Sequence, residues 1–190
     1  MRMKPFVLLC VLTLFAVPTA GCIEVPCEWT DSCGTCGTEE IMGDEVVDGW
    51  IGLQMPSFAF TDQVGQNWDT ANLSGEVYVA YFSTPWCSHC KTTLDAFDQA
   101  IPEDSLLVFN KDAEYDSSDM VEWHNTTEEE FERQINRPFI HAPELADAVV
   151  VEGIPFALFV DGDGTVIDYT LGKRENPSLI TELWEDAIQQ

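Results

Sequence analysis

Trp86-Cys87-Ser88-His89-Cys90-Lys91 stands just after the apolar run Val77-Tyr78-Val79-Ala80-Tyr81-Phe82, and no other stretch of the chain restricts the fold so strongly. The run reads as a buried strand within Glu76 to Phe82. Lys91 to Ala100 reads as a helix, with Leu94 and Phe97 on one face. The two cysteines therefore sit where a strand hands over to a helix. There the first sulfur meets unpaired backbone N–H groups and the positive end of the helix dipole. Both favour the thiolate, which is the reactive form of cysteine. Two sulfurs this close can also close a disulfide with each other. Dithiol–disulfide chemistry is the first expectation. A structural staple or a metal clip is the plainer alternative for the same pair.

The N-terminus carries a different signal. Arg2 and Lys4 precede an apolar stretch from Phe6 to Val17, which contains Cys10. That stretch is too short to cross about 30 Å of hydrocarbon as a helix and suits a signal peptide over residues 1–21. Thr19-Ala20-Gly21-Cys22 follows and resembles a prokaryotic lipobox, although Thr19 stands where Leu is usual. By that resemblance Cys22 is the lipidated first residue of the exported chain. The alternative is a signal without lipid, with export either way. Residues 22–51 are acidic and short of aliphatics, and hold Cys27, Cys33 and Cys36. They read as a tether with its own cysteine cluster, either a stapled loop or a second redox pair at Cys33-Gly34-Thr35-Cys36.

Residues 52–190 have the size of one domain. Ser57 to Thr61 reads as a short strand and Asp62-Gln63-Val64-Gly65-Gln66 as a turn. Leu106 to Asn110 is a further strand, and Met120 to Ile135 an acidic helical stretch. Glu144 to Ala148 is a short helix before Val149-Val150-Val151. Phe156 to Val160 and Val166 to Thr170 flank Asp161-Gly162-Asp163-Gly164, a strong hairpin signal. Pro177 opens a last helix with Leu179, Leu183, Trp184 and Ile188 as its apolar positions. Strands alternating with helices imply an α/β chain, with a mixed sheet and helices on both faces.

The chain has 34 acidic and 8 basic residues, a net charge of −26. Loss of Arg2 and Lys4 with a leader would make it two units more negative. Such a chain does not bind nucleic acid through phosphate contacts, and anionic lipid headgroups repel it. Membrane residence would have to come from the lipid on Cys22.

Strand, Trp-Cys-x-x-Cys-Lys, helix, then Gly153-Ile154-Pro155 ahead of a hairpin and a final helix resembles the thioredoxin fold. Met55-Pro56-Ser57-Phe58 through Gly65, Leu73-Ser74-Gly75 before the central strand, and an insert ahead of Ile154-Pro155 resemble the membrane-anchored TlpA/ResA type. The resemblance implies a three-layer thioredoxin-like fold with a mixed central sheet and a helical insert. It also implies a cis peptide at Pro155 beside the disulfide, with the Ile154 backbone free to pair with an extended substrate. Cys87 would be the nucleophile and Cys90 the resolving thiol, with Trp86 and Pro155 shaping the contact surface. No cofactor and no metal are expected. Partners would be thiols or disulfides of exported proteins and a membrane redox protein.

Two departures from the family pattern stand out. Thioredoxins carry a buried acid six residues before the first catalytic Cys, and here that position is Tyr81, so the proton acceptor is unassigned. His89 between the cysteines resembles oxidising disulfide donors, where an imidazole stabilises the thiolate and raises the reduction potential. An exposed residue without a role is the alternative. Two other chemistries fit the same residues. Cys87, Cys90 and His89 could hold Cu(I), since soft thiolates select that ion. Thr84-Pro85-Trp86-Cys87 also fits the Thr-x-x-Cys of peroxiredoxins, but no matching arginine is apparent and Cys90 is too close for a typical resolving cysteine. His124 and His141 read as surface or core residues. Asn72 and Asn125 open glycosylation sequons.

Overall fold

The computed structural model describes residues 49–189. Its strands are β1 (Ala59–Thr61), β2 (Asn67–Asp69), β3 (Tyr78–Ser83), β4 (Leu106–Asn110), β5 (Phe139–His141), β6 (Phe156–Val160) and β7 (Val166–Leu171). Its helices are α1 (Ser88–Ala100), α2 (Asp119–Phe131), α3 (Pro143–Ala148) and α4 (Pro177–Ala187). Strands β1 and β2 pair as a small antiparallel hairpin. The main sheet has the order β5-β4-β3-β6-β7. Its β3–β4 and β4–β5 pairs are parallel, and its β3–β6 and β6–β7 pairs are antiparallel.

Every residue of β3, β4 and β6 is buried, as apolar strands covered on both faces require. Side chains alternate between two cores. Val79, Tyr81, Val108 and Phe159 face α1, α2 and α4, meeting Leu94, Phe97, Trp123, Ile180 and Trp184. Ala80, Phe82, Phe109 and Leu158 face the other way, meeting Met55, Phe58 and Leu73 of the N-terminal arm and Leu145 and Ala146 of α3. Each fully buried Phe or Leu contributes about 1.5–3 kcal/mol. The result is the expected three-layer mixed α/β fold. The insert between β4 and β6 holds α2, β5 and α3 rather than a helical stretch alone.

Three details differ from the sequence reading. Helix α1 begins at Ser88, not Lys91, because Cys87 caps it. Helix α2 stops at Phe131, where Glu132 turns left-handed (φ 53°); Ile135 is buried beyond the helix. On α4 the buried face is Ile180, Trp184 and Ala187, with Leu183 packed beside it, whereas Leu179 and Ile188 are exposed. The spacing i, i+3, i+4, i+7 selects the first set.

The arm before β1 is tied to one edge of the sheet. Gly52 N–H donates to the Val166 carbonyl (2.7 Å), Val166 N–H to Leu53 (2.8 Å) and Met55 N–H to Gly164 (2.8 Å), all on β7 or the turn before it. At the opposite edge Gln63 brackets the start of β5: its Oε1 accepts from Phe139 N–H (2.7 Å) and its Nε2 donates to the Arg137 carbonyl (2.9 Å). Trp50, which the sequence places in the tether, packs on Phe156 with ring centroids 5.0 Å apart and donates to the Val149 carbonyl (2.8 Å).

Candidate active site

Cys87 and Cys90 form a disulfide, with Cα atoms 5.3 Å apart. The preceding strand β3 ends at Ser83, and the backbone turns through Thr84 and Pro85 before α1. Cys87 is the N-cap residue, in extended conformation, and its Sγ accepts the Cys90 N–H at 3.3 Å. The first sulfur therefore occupies the place that a capping oxygen takes in other helices. Of the two cysteines Cys87 is the more accessible, 6% exposed against 1% for Cys90. His89 lies exposed on the first turn of α1.

Trp86 is 64% exposed beside the disulfide, unusual for so large an apolar side chain. Its indole N–H donates to Asp112 Oδ2 at 2.7 Å. Asp112 in turn lies below the ordinary carboxylate range, chiefly because the Glu114 N–H bonds it, then because Trp86 does. Fully buried Asn110, the last residue of β4, braces this turn. Its Oδ1 accepts the Asp112 N–H, and its Nδ2 donates to the Asp112 carbonyl and lies 3.1 Å from His141 Nδ1. A cleft of about 230 Å³ opens next to Pro85 and Lys91, floored by Trp123 and walled by Tyr115 and α2.

Strand β6 brings the second part of the site. Phe156 pairs with Phe82 near the end of β3, so Ile154 and Pro155 stand at the same end of the sheet as the disulfide. The Ile154–Pro155 peptide is cis. The Pro155 carbonyl accepts the Gly172 N–H (2.8 Å) from the loop after β7. The fold thus gathers Trp86, Cys87, His89, Cys90, Ile154 and Pro155 at one end of the sheet. Cys22, Cys27, Cys33 and Cys36 lie outside the described residues. Among the described residues no three His, Cys, Asp or Glu side chains converge as metal ligands would, and no helix is long and apolar enough to cross a membrane.

Residues 51–180 match the AhpC/TSA family. The chain belongs to that family. Solved structures agree on the fold. A thiol:disulfide interchange protein from Chlorobium tepidum TLS aligns with TM-score 0.58 and 20% identity, over 72% of this chain and 97% of its own. The exposed lipoprotein thioredoxin Etrx1 of Streptococcus pneumoniae aligns with TM-score 0.55 and 18% identity, over 68% and 99%. Arabidopsis thaliana ScoI, solved with copper bound, aligns with TM-score 0.55 and 16% identity, over 73% and 99%. At these identities the likeness is one of thioredoxin-like fold. No curated protein sequence matches the chain.

In this AhpC/TSA chain Tyr81 lies beneath the disulfide, fully buried, and donates from its hydroxyl to the Cys90 carbonyl at 2.8 Å. Burial holds its proton on, well above the usual phenol range. Tyr81 is therefore a neutral donor that braces α1. The contributions of Asn110 and Asp112 were not anticipated from sequence. The only available signal was their place at the end of a strand parallel to β3, where such sheets assemble their sites.

Proposed function

We propose that the protein is an exported thiol–disulfide oxidoreductase, held outside the cytoplasmic membrane by lipid on Cys22. The observation that carries the reading is the Cys87–Cys90 disulfide at the N-terminus of α1. In the reducing direction, the Cys87 thiolate attacks a disulfide sulfur of an exported protein. One substrate sulfur leaves as a thiolate, and a mixed disulfide joins Cys87 to the other. Cys90, having lost its proton, attacks Cys87 Sγ and releases the second substrate thiolate. Two electrons pass to the substrate, whose thiolates take up the two protons, and the Cys87–Cys90 bond remains. The oxidising direction is the reverse. Open N–H groups of the first turn of α1 stabilise Cys87 as a thiolate, both as nucleophile and as leaving group. Trp86, Ile154 and Pro155 form the surface against which the substrate lies, and His89 supports the thiolate. Cys33 and Cys36 serve as a stapled or relaying pair upstream.

The decisive experiment is trapping. Cys90→Ser should accumulate mixed disulfides with client proteins, and Cys87→Ser should not. Equal trapping by both variants removes the assignment of roles, and trapping by neither removes the activity.

A further inference from the structure

The loop from Leu171 to Asn176 lies against both halves of the site. Gly172 N–H bonds the Pro155 carbonyl, and Arg174 N–H bonds Thr93 Oγ1 (3.0 Å) on α1. Leu171 Cδ1 lies 3.4 Å from where a Cβ on Gly153 would stand. The loop is thus fixed beside the disulfide by backbone bonds at two points, and its side chains are left outward.

Those side chains are unusual for this molecule. Six cations lie among the described residues of a chain with net charge −26. Lys91, Arg133 and Arg137 are paired with carboxylates of Glu130, Asp95 and Asp98, and Lys111 donates to the Val151 carbonyl. Lys173 and Arg174 are exposed. Lys173 shares one exposed carboxylate, Glu175 (2.9 Å), while among the described residues the Arg174 guanidinium bonds only the Lys173 carbonyl. On this side of the disulfide Lys173 and Arg174 stand with exposed Glu152 and Glu175, so positive charge is local to the two side chains. The β4 side carries Asp112, Glu114, Asp116 and Asp119, with Lys111 among them. The strand order places β4 and β7 on opposite sides of β3, so the two exposed cations and the acidic cluster flank the disulfide. At physiological salt the screening length is about 8 Å, so a docked partner feels the nearest charges and not the net charge of the chain.

We propose that Lys173 and Arg174 are a cationic docking patch that seats carboxylates flanking the reactive cysteine of a protein partner. The proposal rests on the oxidoreductase reading and adds the charge of the client segment. Arg174 supplies a planar fork suited to a carboxylate and already free of one. The acidic β4 side repels the same carboxylates, so a client enters in one orientation.

The test uses the oxidised protein and short peptides with Ser in place of the reactive Cys, flanked by Glu, Gln or Lys. Affinities are read at about 0.15 M salt from amide NMR shifts of residues 171–176. The Glu-flanked peptide should bind about threefold to tenfold tighter than the Gln-flanked one, as rim charges do. Lys173→Gln with Arg174→Gln should bring that ratio to one, and Lys173→Glu with Arg174→Glu should favour the Lys-flanked peptide. Equal affinities in the wild type, or a ratio unchanged by the double Gln variant, overturn the patch. Exchange of the Cys87–Cys90 bond with uncharged dithiothreitol is measured alongside. If that exchange fails while the ratio holds, the oxidoreductase reading falls and the patch stands. If exchange is normal and the ratio is one, only the patch falls.

Discussion

Arg137 offers the sharpest quantitative test of how α1 is held. Its side chain is 5% exposed, and each of its five N–H donors has an acceptor. Nε bonds Asp98 Oδ1 (2.7 Å). Nη1 bonds the carbonyls of Pro102 and Glu103, and Nη2 those of Asp98 (2.9 Å) and Ile101 (2.7 Å). These carbonyls belong to the last turn of α1 and the turn after it, where helix carbonyls lack intrahelical donors. Arg137→Ala removes all five bonds and leaves the Asp98 carboxylate and four carbonyls without these donors. Breaking a buried charge pair from one side costs about 3–5 kcal/mol. Asp98 keeps Arg133 (2.6 Å), a half-buried partner, which moves the expectation to the lower end, about 3 kcal/mol. For a domain of this size that is a fall of about 6–12 °C in melting temperature. Arg137→Lys keeps the charge but at most three donors in the wrong geometry, and should recover less than half of the loss. The assay is denaturant unfolding of the oxidised protein, followed by far-ultraviolet circular dichroism. A loss below about 1 kcal/mol for Arg137→Ala, or wild-type stability for Arg137→Lys, would refute the clamp.

Tyr81→Phe should cost about 1 kcal/mol for the lost bond to Cys90 and leave the pH profile of disulfide exchange unchanged. A shifted profile would make the phenol part of proton transfer after all. The Trp86–Asp112 bond should be insensitive to pH above the ordinary carboxylate range and open only in acid. Because folding lowers the Asp112 value, the contribution is complete above the unfolded value of about 3.9 and disappears as pH falls through the folded one. The Trp86 indole N–H resonance reports this, and a midpoint at or above 3.9 would contradict it. Cys22→Ala should move the protein from the membrane to the soluble fraction; an intact mass with a free amino group at Cys22 would exclude the anchor. Cys33→Ser with Cys36→Ser should slow turnover with the natural partner while leaving the Cys87–Cys90 potential unchanged. Turnover at the wild-type rate would leave the staple.

What could be read from sequence was local. Leu106–Asn110 is apolar enough to be a strand in any context, and Asp161-Gly162-Asp163-Gly164 can hardly be anything but a turn. The Cys87–Cys90 pair announces itself by spacing. β2 and β5 were missed because each is three residues long, too short to show a period, and exists by pairing with distant strands. Helix α1 starts earlier than its apolar pattern because a sulfur, not a Ser or Asp, is the cap. The neighbours of the disulfide were hardest to foresee. Trp86 and Asp112 are 26 residues apart, and Arg174 and Thr93 are 81 apart. Only the strand order joins them.

The arm before β1 and the turn that follows β1 also bear on how the molecule avoids sticking to itself. A five-stranded open sheet has two outer strands, each with a row of unpaired N–H and C=O groups that another chain can extend. Here β5 and β7 are those strands; the arm reaches β7, and the turn between β1 and β2 reaches β5. Leu53 and Gly52 occupy backbone groups of Val166 at the start of β7, and Gln63 and Asp62 do so at Phe139 and Ile140 on β5. One continuous stretch of chain thereby blunts both margins of the sheet. Residues 52–63, the arm with β1 and the start of its turn, are a guard against edge-to-edge polymerisation, and a fragment beginning at β2 would keep the disulfide yet carry two open templates for aggregation.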